Sequence, residues 1–212
     1  MNSKRSLVRR TAAVAASAVA ALVLAACGGN GDNSAGHDGH SKASPSASAS
    51  ASSQGQQNAA DVAFAKGMIP HHRQAVEMAD LAPSRAGSAE VKALAEQIKK
   101  AQDPEIKTLS GWLTSWGEEV PAEGAMDHSE HGASGMSGMM TAEEMDKLKD
   151  SSGKAFDTAF MEMMIKHHEG AVSMAETEKA DGSYEPATKM ADAIISSQTA
   201  EITQMNELLG KN

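Results

Sequence analysis

The residues of this chain best suited to chemistry are two histidine doublets, each preceded by a methionine in the pattern Met-x-x-His-His: Met68 with His71 and His72, and Met164 with His167 and His168. Thioether sulfur is a soft donor and imidazole a borderline one. The set therefore suits Cu(I) or Ag(I) better than Mg(II), Ca(II) or Mn(II), which take oxygen ligands. On a helix, at about 100° per residue, Asp61, Phe64, Met68, His71, His72, Ala75 and Met78 fall on one stripe about a third of the circumference wide. Met68 then stands one turn before an imidazole on the same face. Met164 repeats this in the second motif, and Met78 and Met174 extend the two stripes. Methionine at helical spacing is also ordinary core filler. Two adjacent imidazoles on an apolar face are costlier, because they lose hydration unless they find partners, and here they occur twice. Metal ligation is the expected role of neutral histidine in such a place. Asp61 and Asp157 are candidates for one of two roles, helix N-terminal charges or acceptors that orient a ligating histidine.

A second Met/His-rich stretch, Met126-DHSEHGASGMSGMM, sets His128, His131, Met136, Met139 and Met140 among Gly and Ser. Methionine has no packing reason to be in such a stretch, so residues 122–140 read as a flexible loop that collects metal. His37 and His40 lie in a polar linker and read as solvated. A carboxylate di-iron bundle would place Glu three residues before His. Met68, Ile69, Met164 and Ile165 hold those positions, which weakens a ferritin-type oxidase reading. With no nucleophile beside a base and no glycine-rich phosphate loop, the expectation is a binding protein rather than an enzyme.

The elements that position these residues follow from an internal repeat. Asp61-VAFAKGMIPHHRQAVEMA realigns with Asp157-TAFMEMMIKHHEGAVSMA at an offset of 96. The register then holds without a gap, pairing Ile98, Gln102, Glu105, Ile106 and Leu113 with Ile194, Gln198, Glu201, Ile202 and Leu209. Each copy, about 61–113 and 157–209, reads as a helical hairpin, and two hairpins make an all-α four-helix bundle. Helices are predicted at about 58–80, 88–117, 154–179 and 186–209, with Asn58 as an N-cap and Gly210 as a C-terminal cap. Pro70 and Pro104 fall inside the first two and are expected to kink rather than break them. Thr141-Ala-Glu-Glu144 has capping-box spacing and predicts a short extra helix. Trp112 and Trp116, four apart, read as a packing pair.

Residues 1–26 have the layout of a secretory signal: Lys4, Arg5, Arg9 and Arg10, then an apolar run too short for a membrane-spanning helix. The only cysteine, Cys27, follows Leu24-Ala-Ala, which resembles the lipobox of bacterial lipoproteins and makes Cys27 the expected lipidation site. Residues 27–57, with the run ASPSASASASS, read as a disordered tether, and 58–212 as one domain. Removal of the signal leaves 15 Lys and Arg against 28 Asp and Glu, a formal charge of −13. That charge argues against nucleic acid as a partner. A single cysteine rules out an intramolecular disulfide. The predicted location is outside the cytoplasm, anchored to a membrane by lipid.

From Phe64 to Ala79, and again from Phe160 to Ala175, the chain carries FxxxMIxHHxxAxxMA. It thereby resembles the bacterial family called domain of unknown function 305, over about Asp61 to Leu209. The resemblance implies a ferritin-like four-helix bundle, export and, for some members, copper binding through Met and His. The expected function is thus extracytoplasmic binding of Cu(I), or Ag(I), for buffering, tolerance or delivery to a partner. The competing expectations are a bundle whose histidines only hydrogen-bond, and a metal-dependent oxidase.

Overall fold

The computed structural model describes residues 56–123 and 137–211. The signal, Cys27, most of the tether, and His128, His131 and Met136 lie outside them. Five helices are described: α1 (Ala59–Arg85), α2 (Ala89–Trp116), α3 (Ala142–Asp150), α4 (Gly153–Asp181) and α5 (Glu185–Leu208). None of them is long and apolar enough to cross a membrane.

Local chemistry sets the ends. Asn58 caps α1, accepting from the amides of Ala60 and Asp61, while the Asp61 carboxylate accepts from the Asn58 amide to complete a capping box. Ser88 caps α2. Thr141 and Glu144 form the predicted capping box of α3. Beyond α5, Gly210 takes the left-handed conformation at φ +68, which costs a residue without a Cβ little. The first helix runs five residues past its predicted end at 80, because Ala82 is still fully buried and holds the last turn against the core. Pro70, Pro83 and Pro104 sit within helices that continue through them, although each removes one amide donor from the ladder.

Helix α1 pairs with α2 and α4 with α5, and the two hairpins meet through α1 and α4. These central helices run antiparallel, as contacts at both ends show. Asp61 at the start of α1 accepts from the amides of Ser183 and Tyr184, just beyond α4. Asp157 at the start of α4 accepts from the amides of Gly87 and Ser88, just beyond α1. The molecule therefore has a pseudo-twofold relation, with the midpoints of α1 and α4 facing each other.

Two apolar clusters flank those midpoints. One unites Phe64, Ala65, Met68 and Ile69 of α1 with Leu109 and Leu113 of α2, Ala171 and Ala175 of α4, and Ala191 and Ile194 of α5. The other gathers Met78, Ala79 and Ala82 with Leu94, Ile98, Met140, Leu148, Phe156, Phe160 and Met164. Burial on this scale drives the association of the helices. Trp112 and Trp116 stack as predicted, and Tyr184 packs edge-on against both, tying the end of α2 to the α4–α5 turn.

Candidate metal centre

The histidine doublets sit at the midpoints of α1 and α4, and all four side chains are fully buried. The antiparallel pairing brings His71 and His167 together, with ring centroids 3.8 Å apart and planes tilted by 45°. Burial pushes the His71 imidazole down to about 3, helped by the charge of His72 and opposed by the Ser137 carbonyl. Burial likewise holds His167 well below the ordinary histidine range, with the other three histidines adding to it. Both are therefore neutral at physiological pH, the form that ligates metals.

The doublets do not converge as a set of four. His72 turns to its own hairpin, where its Nε2 lies 2.7 Å from the Glu105 carboxylate of α2. His168 does the same with Glu201 of α5, also at 2.7 Å. In the sequence Glu105 and Glu201 stand out only as repeat positions. The signal that marks them is an acidic residue kept at one offset in the same helical register as the buried Gln102 and Gln198, whose side-chain oxygens are also unpartnered. Carboxylates thus do reach the doublets, but from the paired helix, so spacing along one helix could not reveal them.

Several buried ring nitrogens have no hydrogen-bond partner among the described residues: Nδ1 of His71, His72 and His168, and both nitrogens of His167. Buried polar atoms are rarely left this way. Among the described residues no group of three or more His, Cys, Asp or Glu is placed to share one ion. An ion bound by the imidazoles would need further donors of another type, and the buried methionines are such donors. Met68 lies in the cluster against which Met174 packs, and Met164 shares the other cluster with Met78. The methionines therefore form two layers, one on each side of the central imidazole pair, rather than one group around it. Met68, Met78 and Met164 are fully buried and also serve as core.

Two expectations change. Asp61 and Asp157 do not orient a histidine. Their carboxylates are taken up by the turn amides named above, because the doublets lie near mid-helix and these residues near the helix starts. The amides, outweighing burial, hold Asp61 below the usual carboxylate range. Met140, expected in a collecting loop, is buried in the core instead. Its backbone is held by Gln74, whose amide donates to the Met140 carbonyl at 2.9 Å and accepts from the Met140 amide at 2.7 Å. Met139 is partly buried beside it.

This segment, residues 137–140, crosses the histidines as a strap. The Ser137 carbonyl lies 3.2 Å from His71 Nε2. The strap rests directly on the α4 backbone: a Cβ on Gly170 would overlap the Ser137 carbonyl, and one on Gly138, at φ +86, would strike the carbonyls of Lys166 and His167. Gly170 is the repeat counterpart of Gln74.

The family model described as domain of unknown function (DUF305) matches residues 61–209. Among solved structures, a DUF305 protein of Streptomyces coelicolor assigned to secretion is 33% identical, covers 72% of this chain and 93% of its own, and gives a TM-score of 0.64. A DUF305 fragment from Deinococcus radiodurans is 26% identical, with coverage of 74% and 100% and a TM-score of 0.65. CopM in its Cu(I)-bound form is 34% identical, with coverage of 70% and 94% and a TM-score of 0.58. CopM also has Cu(II)-bound and Ag-bound structures. No curated protein matches the chain.

Proposed function

The chain belongs to the domain of unknown function 305 family, and from that membership and the site geometry we propose that it is an exported, lipid-anchored protein that binds Cu(I), or Ag(I), to buffer the ion or hand it on. The observation that carries this reading is the buried His71–His167 pair, two neutral imidazoles in contact whose free nitrogens have no partner among the described residues. Water would satisfy such atoms only in a wetter site, and a hydrogen-bonding role would have supplied donors and acceptors to match. Imidazole nitrogens completed by thioether sulfur suit a soft monovalent ion of low coordination number. Oxygen-loving dications lack the donors they need there. Copper and silver binding by the similar CopM supports the same chemistry. The ion is cargo in this reading, and the protein is a carrier rather than a catalyst. The sequence of residues 1–27 supports membrane anchoring outside the cytoplasm.

The test is anaerobic Cu(I) titration read by native mass spectrometry, comparing wild type with the H71A/H72A/H167A/H168A variant. Wild type is expected to take up copper that the variant does not hold. Equal uptake by the two would defeat the assignment of the site to the histidines.

A further inference from the structure

Three of the four buried histidines share one hydrogen-bonding pattern. Nε2 of His72 and His168 meets a carboxylate oxygen, Glu105 or Glu201, and Nε2 of His71 meets the Ser137 carbonyl. Carbonyl and carboxylate oxygens accept and cannot donate, so Nε2 of each ring carries a proton, and in the neutral form that ligates metals it is the ring's only one. The lone pair then falls on Nδ1, and in all three residues that is the nitrogen left buried and unpartnered. Two of the acceptors, on α2 and α5, are repeat counterparts, and the third comes from the unrepeated strap. The two glutamates are partly exposed at 21% and 16% of the side chain, while the imidazoles they meet are at 0%. Their charge is therefore kept hydrated on one side while it polarises a buried ring on the other.

Building on the copper reading above, we propose that Glu105 and Glu201 are positioning residues: by accepting the Nε2 proton they present Nδ1 of His72 and His168 as the ligating atom and raise its donor strength. Carboxylate partners act this way on metal-bound histidines in general, and their loss typically weakens metal affinity by about 10- to 100-fold. The repeat explains why there are two, since a pair placed at equivalent points of both hairpins serves both doublets.

Long-range 1H–15N NMR of the metal-free protein tests the tautomer directly. His72 and His168 are expected to carry the proton on Nε2, with Nδ1 bare. Addition of Ag(I) should then shift the Nδ1 resonances of these residues more than the Nε2 ones. In the E105Q/E201Q variant the amide oxygen can still accept, so the tautomer should persist while Cu(I) affinity, measured by competition with a chromophoric chelator, falls about tenfold or more. In E105A/E201A the two rings should populate both tautomers. A proton found on Nδ1 in wild type, Ag(I) shifts confined to Nε2, or unchanged Cu(I) affinity in E105Q/E201Q would each overturn the proposal. Should wild type bind no Cu(I), the functional reading fails instead, and the metal-free spectrum still decides the tautomer.

Discussion

The two hairpins are copies of one another, and the places where they agree and differ divide along physical lines. They agree at Met68/Met164, at both histidine doublets, at Glu105/Glu201, at Gln102/Gln198 and at Asp61/Asp157. They differ at Gln74/Gly170, where α1 offers a long amide and α4 offers no side chain at all. The reason is the strap, which occurs once among the described residues and cannot obey a twofold relation. One helix must grip it and the other must make room, and Gln74 and Gly170 do these two jobs. A second difference is Ala82/Glu178. Glu178 is buried with both carboxyl oxygens unpartnered, and burial together with the nearby Asp61 carboxylate pushes it up to about 8. The repeated positions thus include the candidate ligands and the turn clamps, whereas Gln74 and Gly170 serve the unrepeated strap.

The largest effects should come from the matched clamps, and they should be unequal. Asp61 accepts from the Asn58, Ser183 and Tyr184 amides and the Ser183 hydroxyl, Asp157 only from two amides. Hydrogen bonds to a charged acceptor contribute about 1.5–3 kcal/mol each and add imperfectly. Urea denaturation should therefore show Asp61→Ala costing about 4 kcal/mol and Asp157→Ala about 2 kcal/mol. Equal losses would mean the extra bonds at Asp61 contribute little.

Next come the unmatched strap residues. Gln74→Ala removes two buried hydrogen bonds, at a cost of about 2 kcal/mol. Gly170→Ala inside a helix would ordinarily stabilise by about 1 kcal/mol. Here it should destabilise, because the new methyl group occupies the place of the Ser137 carbonyl. Denaturant midpoints for the single and double variants settle the sign, and a stabilised G170A protein would show that the strap does not rest there.

The smallest effect at any one pH should be that of Glu178→Gln. Because the folded-state value of Glu178 is raised, its protonated form adds stability in full below about pH 4.5 that is lost as pH rises towards about 8. The buried histidines act at the other end. The lowered values of His71 and His167 favour folding above about 6.5, and that contribution is lost as pH falls, for His71 towards about 3. Thermal unfolding across this range should show wild-type stability falling on both flanks. E178Q should flatten the alkaline decline alone, and an unchanged decline would assign it to other groups.

Much of the fold was legible in the residues. The offset of 96 and the helical stripe located the four long helices, and Asn58, Thr141 and Gly210 marked ends because capping is a matter of a few neighbouring atoms. The doublets were legible as site candidates because burying two imidazoles on one stripe is costly without partners. Glu105 and Glu201 were not, since each meets its histidine from a residue 33 positions away on another helix. Met140 was misread for a similar reason: a Gly- and Ser-rich neighbourhood conceals a core contact made entirely through tertiary packing.

By itself the sequence determined the helices, their pairing into like hairpins, the types of donor available, and so the class of ion that would suit them. These follow from short-range spacing and from the chemistry of sulfur and imidazole. Only the tertiary structure decided that His71 faces His167, that His72 and His168 turn instead to glutamates, and that a strap covers the pair. Those choices depend on how α1 crosses α4 and where a single connection must run. Energies of that kind come from contacts between residues far apart in the chain, which no local pattern encodes.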